Sequence, residues 1–202
     1  MSFLTSLANR RSIYALGKAV DFEKATATIK EAVRQSPSAF NSQTSRVLIL
    51  AGEAHDNLWL TIVAKDLKAE MDRQGVPESV WSGTKEKLDG FAAADLTALF
   101  FEDTAVVKNL QEQFPLYADN FPVWSEQSTG IASVNAWTAL SELGLGANLQ
   151  HYNPVINETV AKTYDIPESW DLRGQLVVGS PEADVSPKAF MADEDRFKVF
   201  GL

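Results

Sequence analysis

Three short apolar runs, at 47–51, 96–101 and 175–179, constrain this chain most. None alternates apolar with polar residues, so each reads as a strand buried on both faces. Helical periods lie between them. Ala25, Ile29, Ala32 and Val33 line one stripe ahead of the first run. Leu58, Trp59, Ile62, Val63, Leu67 and Met71 line a wider stripe after it. From 126 to 143, Ile131, Val134, Trp137, Leu140 and Leu143 are interleaved with Ala132, Ala136 and Ala139. That helix is apolar on more than one side, which suits a position between the core and a partner. Gly144 and Gly146 stop it, and a short helix at 158–164 is ended by Pro167. Residues 72–77 read as a loop turning at Gln74-Gly75, and the aromatic, Pro-broken segment 112–122 as a cap rather than a regular element. No fixed-period repeat is present. Helices and strands in this mixed order predict an α+β fold, with helices flanking a modest sheet.

At 202 residues the chain has room for one domain, spanning 1–202, with an arm over about 180–202. The arm is broken by Pro181 and Pro187, and its Phe190, Phe197 and Phe200 call for burial against a neighbouring subunit. The 27 acidic against 18 basic residues leave a net charge of -9, which disfavours a nucleic-acid partner. With no cysteine, thiolate catalysis, iron–sulfur ligation and cysteine zinc sites are excluded; with only His55 and His151, so is a histidine-rich metal site. No apolar run approaches the roughly 18 residues that span a bilayer, and residues 1–11 lack a signal-peptide apolar core. The expectation is a cytoplasmic protein whose redox chemistry, if any, comes from a bound cofactor.

Four polar stretches are candidates for chemistry. Arg10-Arg11-Ser12 offers two planar forks of donors and a hydroxyl, a set that grips phosphate. Taken alone, it reads first as a solvated basic turn at a helix C-terminus. Ser36-Pro37-Ser38-Ala39-Phe40-Asn41-Ser42-Gln43-Thr44-Ser45-Arg46 runs straight into the first buried strand. Ser38, Asn41 and Gln43 present donors and acceptors suited to the edge of a planar heterocycle, and eleven residues exceed what a helix cap needs. The stretch from Gly144 to Pro154 is not a dinucleotide fingerprint, because its Gly-x-Gly follows a helix and Leu149 stands at the third glycine position. It reads as a loop whose backbone approaches something closely. Finally, Arg196 and Lys198 flank Phe197, so in an extended segment they share one face.

Together these stretches resemble the flavin-dependent nitroreductase family, in the compact branch of the yeast fatty-acid-repression-mutant proteins and bacterial copper-induced nitroreductases. Ser-Pro-Ser-Ala-Phe-Asn-Ser-Gln at 36–43 and Leu-Gln-His-Tyr-Asn-Pro at 149–154 carry it most specifically. Phe100-Phe101-Glu102-Asp103 and Phe121-Pro122-Val123-Trp124-Ser125 fit the same branch, and the likeness extends over the whole chain. It implies a nitroreductase-like α+β fold: a central mixed sheet flanked by helices, in an intertwined homodimer whose C-terminal extension crosses to the partner. It implies FMN at the subunit interface, with Arg10, Arg11 and Ser12 at the phosphate and ribityl end and Arg196 and Lys198 closing on the phosphate. Ser38, Asn41 and Gln43, from the partner subunit, would line the ring, with Gln150, His151 and Tyr152 over its pyrimidine and central portion.

The implied reaction is ping-pong. NADH or NADPH gives hydride through flavin N5 and leaves, and a nitroaromatic or quinone then takes its place; no side chain is assigned a catalytic role. Phe114, Tyr117, Phe121 and Trp124 are candidates for the aromatic walls of that face, or else ordinary packing. One departure stands out: Tyr14 occupies a position where larger relatives carry a basic residue near flavin N1. Two other readings stay open, a relative with different flavin chemistry such as a dehalogenase, and a non-enzymatic FMN-binding regulator of stress responses. Two histidines and no cysteine argue against direct copper binding.

Overall fold

All three apolar runs lie in strands of the computed structural model, which describes residues 2–201. In chain order it comprises α1 (Phe3–Asn9), β1 (Leu16–Gly17), α2 (Phe22–Arg34), β2 (Ser45–Ala51) and α3 (Glu53–Asn57). There follow α4 (Ala64–Arg73), α5 (Glu78–Ala92), β3 (Leu96–Asp103), α6 (Thr104–Gln113) and α7 (Phe121–Glu142). Last come β4 (Gly146–Gln150), α8 (Asn157–Tyr164), β5 (Trp170–Pro181) and a single turn, α9 (Asp193–Arg196). A wider-pitched stretch, Leu58–Val63, joins α3 to α4.

The sheet runs β1-β5-β3-β2, with β4 also paired to β5. All described strand pairs are antiparallel, and the single parallel element is a bridge between Ser12 and Ala147. The mixed sheet expected from sequence is therefore antiparallel along its strands, with only that bridge running the other way.

Why the runs fail to alternate is visible in the packing. Leu96, Ala98 and Phe100 of β3, with Leu176 and Val178 of β5, meet Ala25 and Ile29 of α2 and Ala132, Ala136 and Leu140 of α7. Their alternates Leu99, Phe101 and Val177 face Leu58, Trp59, Ile62 and Val63, together with Leu88 and Phe91 of α5 and Ile156 and Val160 of α8. Helices cover both faces, so apolar residues are favoured on both sides of these strands.

Two strands were not legible as such. The segment 144–154, expected to be a loop, contains β4. Its polar Asn148 and Gln150 broke the apolar signal, yet both are buried and hydrogen-bonded within the fold. At Gly146 a Cβ would lie 2.7 Å from Leu16 Cδ2, so any larger residue would have to displace that side chain. β1, only two residues long, carries no periodicity at all. The segment 112–122 is more regular than a cap: it holds the end of α6, a tight helical turn at Pro115–Asn120 and the start of α7. Pro122 is tolerated in that first turn, where no intrahelical N–H is needed. Beyond β5 the arm stays on the surface, with Phe190, Phe197 and Phe200 exposed. No described helix is long and apolar enough to cross a membrane.

Candidate functional site

Ser2 caps α1 by accepting the Thr5 N–H, and Arg10 closes the helix with its own N–H on the Ser6 carbonyl. The chain then runs beside β4, where the Ile13 N–H donates to the Ala147 carbonyl at 2.9 Å. The cationic turn is thereby fastened to the edge of the sheet. Arg10 lays its guanidinium over Trp137 of α7, 4.3 Å from the ring centre. Arg11 donates to the Ser186 carbonyl of the arm at 2.8 Å. Burial, and then the charge of Arg11 beside it, lower the Arg10 pKa from its ordinary value. Ser12 and Tyr14 are exposed.

Along β4 the side chains divide by face. Asn148 and Gln150 turn inward: Asn148 donates to the Ile13 carbonyl at 2.8 Å, and Gln150 donates to Asn148 Oδ1 at 2.7 Å. Leu149 and His151 turn to the α7 side, where they line a cleft with Glu126, Thr129, Ser133 and Arg173. Tyr152 places its ring edge-on to Trp59 at 5.6 Å, in the core. Of the three residues expected over a flavin ring, only His151 is exposed; the Gln150 side chain and the Tyr152 ring are committed to the interior.

The cleft wall contains a charge cluster that the sequence did not signal. The pairing of β3 with β5 passes from Phe100 opposite Gly174 to Phe101 opposite Leu172, which leaves Arg173 as the extra residue of a bulge. Its guanidinium meets Glu102 at 2.9 Å, Glu126 at 2.6 Å and Asp171 at 2.8 Å. Burial pushes the Glu126 carboxyl above its ordinary range; Glu102 and Asp171 add to this, while Arg173 pulls the other way.

At the far end of α7 the loop 36–46 takes an unusual path. Three of its non-glycine residues have positive φ: Phe40 at 57°, Asn41 at 50° and Gln43 at 49°. Such conformations are costly and persist only where surroundings hold them. Here Ser38 Oγ accepts the Gln43 N–H at 2.9 Å, and the Ser38 carbonyl accepts the Asn41 N–H at 3.0 Å. Arg46, anchored on Asp103 at 2.9 Å, donates to the Gln43 carbonyl. The loop base is tied to α7 through Thr44 with Ser125 and Ser45 with Thr129.

That path carries Phe40, 50% exposed, into the aromatic group expected from sequence. Its ring centre lies 5.1 Å from Phe114, 5.9 Å from Tyr117, 5.3 Å from Phe121 and 5.9 Å from Trp124, nearly parallel to the last. Sequence reasoning brought the loop and the aromatic residues forward separately and missed the ring that joins them.

The structure thus gathers the predicted residues into two groups rather than one. Arg10, Arg11, Ser12 and the β4 edge sit near Trp137; Ser38, Asn41, Gln43 and the aromatic rings sit near Trp124. The two tryptophans are thirteen residues apart on α7, about 20 Å along the helix axis. Arg196 and Lys198 join neither group within one chain. Both are exposed, and Arg196 packs against its neighbour Phe197 at 5.8 Å.

This helix-flanked antiparallel sheet is the nitroreductase-like fold. The pattern of the nitroreductase family matches residues 7–180. Nitroreductase FRM2 of Saccharomyces cerevisiae is 33% identical over 194 residues, 94% of this chain and 93% of its own length. Solved structures of nitroreductase CinD from Lactococcus lactis, in complex with chloramphenicol and with 4-nitrophenol, are 65% identical. They cover 99% of this chain and 100% of theirs, with a TM-score of 0.91. The chain belongs to the nitroreductase family, and it is an oxidoreductase of the nitroreductase type.

Proposed function

We propose that this protein is an FMN-dependent oxidoreductase that uses NADH or NADPH to reduce nitroaromatics and quinones, as a homodimer whose sites each draw on both chains. The observation that carries the reading is the Arg10–Arg11 pair. Arg34, Arg46, Arg73 and Arg173 each meet a carboxylate, whereas among the described residues Arg10 and Arg11 meet none. Two adjacent cations without a counter-ion, in a chain of net charge -9, fit a dianionic phosphate. Ser12 adds a hydroxyl beside them, and Arg196 and Lys198 supply further charge from the exposed arm of one chain or the other.

FMN, when bound, supplies a two-electron carrier between donor and acceptor. The chain's own residues bind and orient. Main-chain groups at the open edge of β4 present donors and an acceptor to a flat ring, and Ser38, Asn41 and Gln43 bring polar groups from the partner. Phe40, Phe114, Tyr117 and Trp124 wall the open face and exclude water, with the buried Phe121 packed behind them. The separation of the two groups along α7 favours a two-fold pair, in which the cationic end of one chain meets the loop end of the other. Ile131 and Val134 on α7, with Phe3, Leu4 and Leu7 on α1, expose apolar surface for such a contact. A flat nitroaromatic such as 4-nitrophenol, the molecule bound in one CinD complex, suits an aromatic wall of this kind.

Purified protein is expected to be yellow, to release FMN on denaturation, to bleach anaerobically with NADPH or NADH, and to regain colour on addition of 4-nitrophenol or menadione. Colourless protein that refuses added FMN would refute the assignment; yellow protein that neither donor bleaches would favour a regulator. Donor and acceptor are expected to use one face in turn, which gives parallel double-reciprocal lines. Sedimentation at micromolar concentration is expected to report a dimer.

A further inference from the structure

Three primary amides are buried at one end of the sheet: Asn148, Gln150 and Gln175. An amide in an apolar interior is unfavourable unless its hydrogen bonds are made, and the neighbours of Gln175 on β5, Leu176, Val177 and Val178, are the apolar residues this interior otherwise selects. The bonds these amides make share a destination. Asn148 reaches the Ile13 carbonyl and Gln150 reaches Asn148. Gln175 Oε1 accepts the main-chain N–H of Tyr152 at 2.7 Å, and Gln175 Nε2 donates to Asn153 Oδ1 at 3.3 Å. Each one holds the chain on either side of the exposed β4 edge.

The ladder explains why Gln175 is needed. Gln150 pairs with Gln175, the last rung between β4 and β5. Were the ladder to continue, the next hydrogen-bonded pair would set Tyr152 against Arg173. Arg173 is the bulged residue, turned toward Glu102, Glu126 and Asp171, and that rung is not formed. The Gln175 side chain supplies the acceptor in its place. With the Tyr152 N–H drawn toward β5, alternation aims the main-chain groups of Leu149 and His151 the other way, onto the open edge beside Ile13.

We propose that Gln175 is a positioning residue: its side-chain amide replaces a missing rung of the sheet and so aims the main chain at 149–151 toward the bound flavin. This rests on the FMN reading above. Fixed N–H dipoles favour a ring that has gained electrons, so the clamp is expected to matter more for reduced than for oxidised flavin.

The test compares Gln175→Met, which removes the acceptor at similar volume, with Gln175→Glu, which keeps an oxygen for the Tyr152 N–H. Gln175→Met is expected to weaken binding of reduced FMN about tenfold relative to oxidised FMN, read as a midpoint potential about 30 mV more negative for the two-electron couple. Gln175→Glu is expected to recover most of that shift. A potential in Gln175→Met equal to that of the unaltered protein would overturn the proposal. Should both variants fail to fold, amide exchange in the unaltered apoprotein decides: the Tyr152 amide is expected to be protected like those of Asn148 and Gln150, and free exchange at Tyr152 would overturn the proposal. Failure of the unaltered protein to take up FMN would overturn the proposed function instead, a result read separately from the exchange measurement.

Discussion

Arg10 and Trp137 form a cation–π pair at 4.3 Å, with Arg11 alongside and no carboxylate against either arginine among the described residues. The aromatic face holds the guanidinium in place without neutralising it, which leaves its charge for a ligand. Arg10→Ala is expected to cost about 1.5–3 kcal/mol of FMN binding, the worth of a charge-assisted contact, or roughly ten- to hundredfold in Kd. Titration of apoprotein by flavin fluorescence measures it. Equal affinity in variant and parent would place the phosphate elsewhere.

The Phe40 ring lies 5.9 Å from Trp124 with 19° between their planes. Phe40→Leu removes one aromatic surface, and an aromatic pair is worth about 0.5–1.5 kcal/mol. The expected effect is a rise of about two- to tenfold in KM for 4-nitrophenol, with ferricyanide, which has no ring to stack, unaffected. A rise common to both acceptors would show that Phe40 shapes the loop rather than the acceptor face.

His55 is fully buried, and its hydrogen bonds determine its proton. Trp59 Nε1 can only donate to Thr97 Oγ1, at 2.9 Å, so the Thr97 hydroxyl is free to donate to His55 Nδ1 at 2.9 Å. The Phe91 carbonyl then accepts from His55 Nε2 at 3.1 Å. The ring is neutral, and burial lowers its pKa from the ordinary value. The unfolded chain therefore takes up a proton near pH ~6.5 that the folded chain refuses, and stability falls as pH drops from there toward the folded-state pKa. His55→Gln is expected to remove as much as about 1.4 kcal/mol per pH unit from that acid-side slope. Denaturant unfolding between about pH 7 and 5 measures it, and identical slopes in the two proteins would contradict it.

Arg173 is the cation that the buried Glu102 meets in the sheet, at 2.9 Å. Removing one partner of a buried pair strands the other, at about 3–5 kcal/mol. Arg173→Met is expected to lose that much at neutral pH. Addition of Glu102→Gln to Arg173→Met is expected to restore most of the loss at pH ~7. Thermal unfolding of the parent and the two variants reads this directly, and a double variant no more stable than Arg173→Met would show that the charge is not the cause.

Much of the fold was open to reading along the chain, because local rules govern it. The unalternating runs at 47–51, 96–101 and 175–179 mark strands covered on both faces, and the stripe of Ala25 and Ile29 marks a helix with one buried side. β4 was hidden because its pattern answers to hydrogen bonding instead of burial: Asn148 and Gln150 look like loop residues until the Ile13 carbonyl is placed beside them. The candidate site followed the same division. Arg10, Ser38, Asn41 and His151 could be singled out by chemical type. Phe40 could not, since nothing local forecasts a bulky residue at φ 57°, and neither could Arg173, whose role comes from a change of register between two strands.

By itself, then, the amino-acid order determined which apolar runs are buried strands, which helix faces pack against them, and which polar stretches are too rich to be mere turns. These are properties of neighbours along the chain, set by periodicity and side-chain chemistry. Tertiary structure alone decided that the cationic turn is fastened to the β4 edge, that the polar loop carries an aromatic ring to Trp124, and that α7 holds these two groups apart. Each of those outcomes depends on contacts between residues distant in sequence, where a shift of one residue in a strand or a rotation of one helix would assemble a different set of groups.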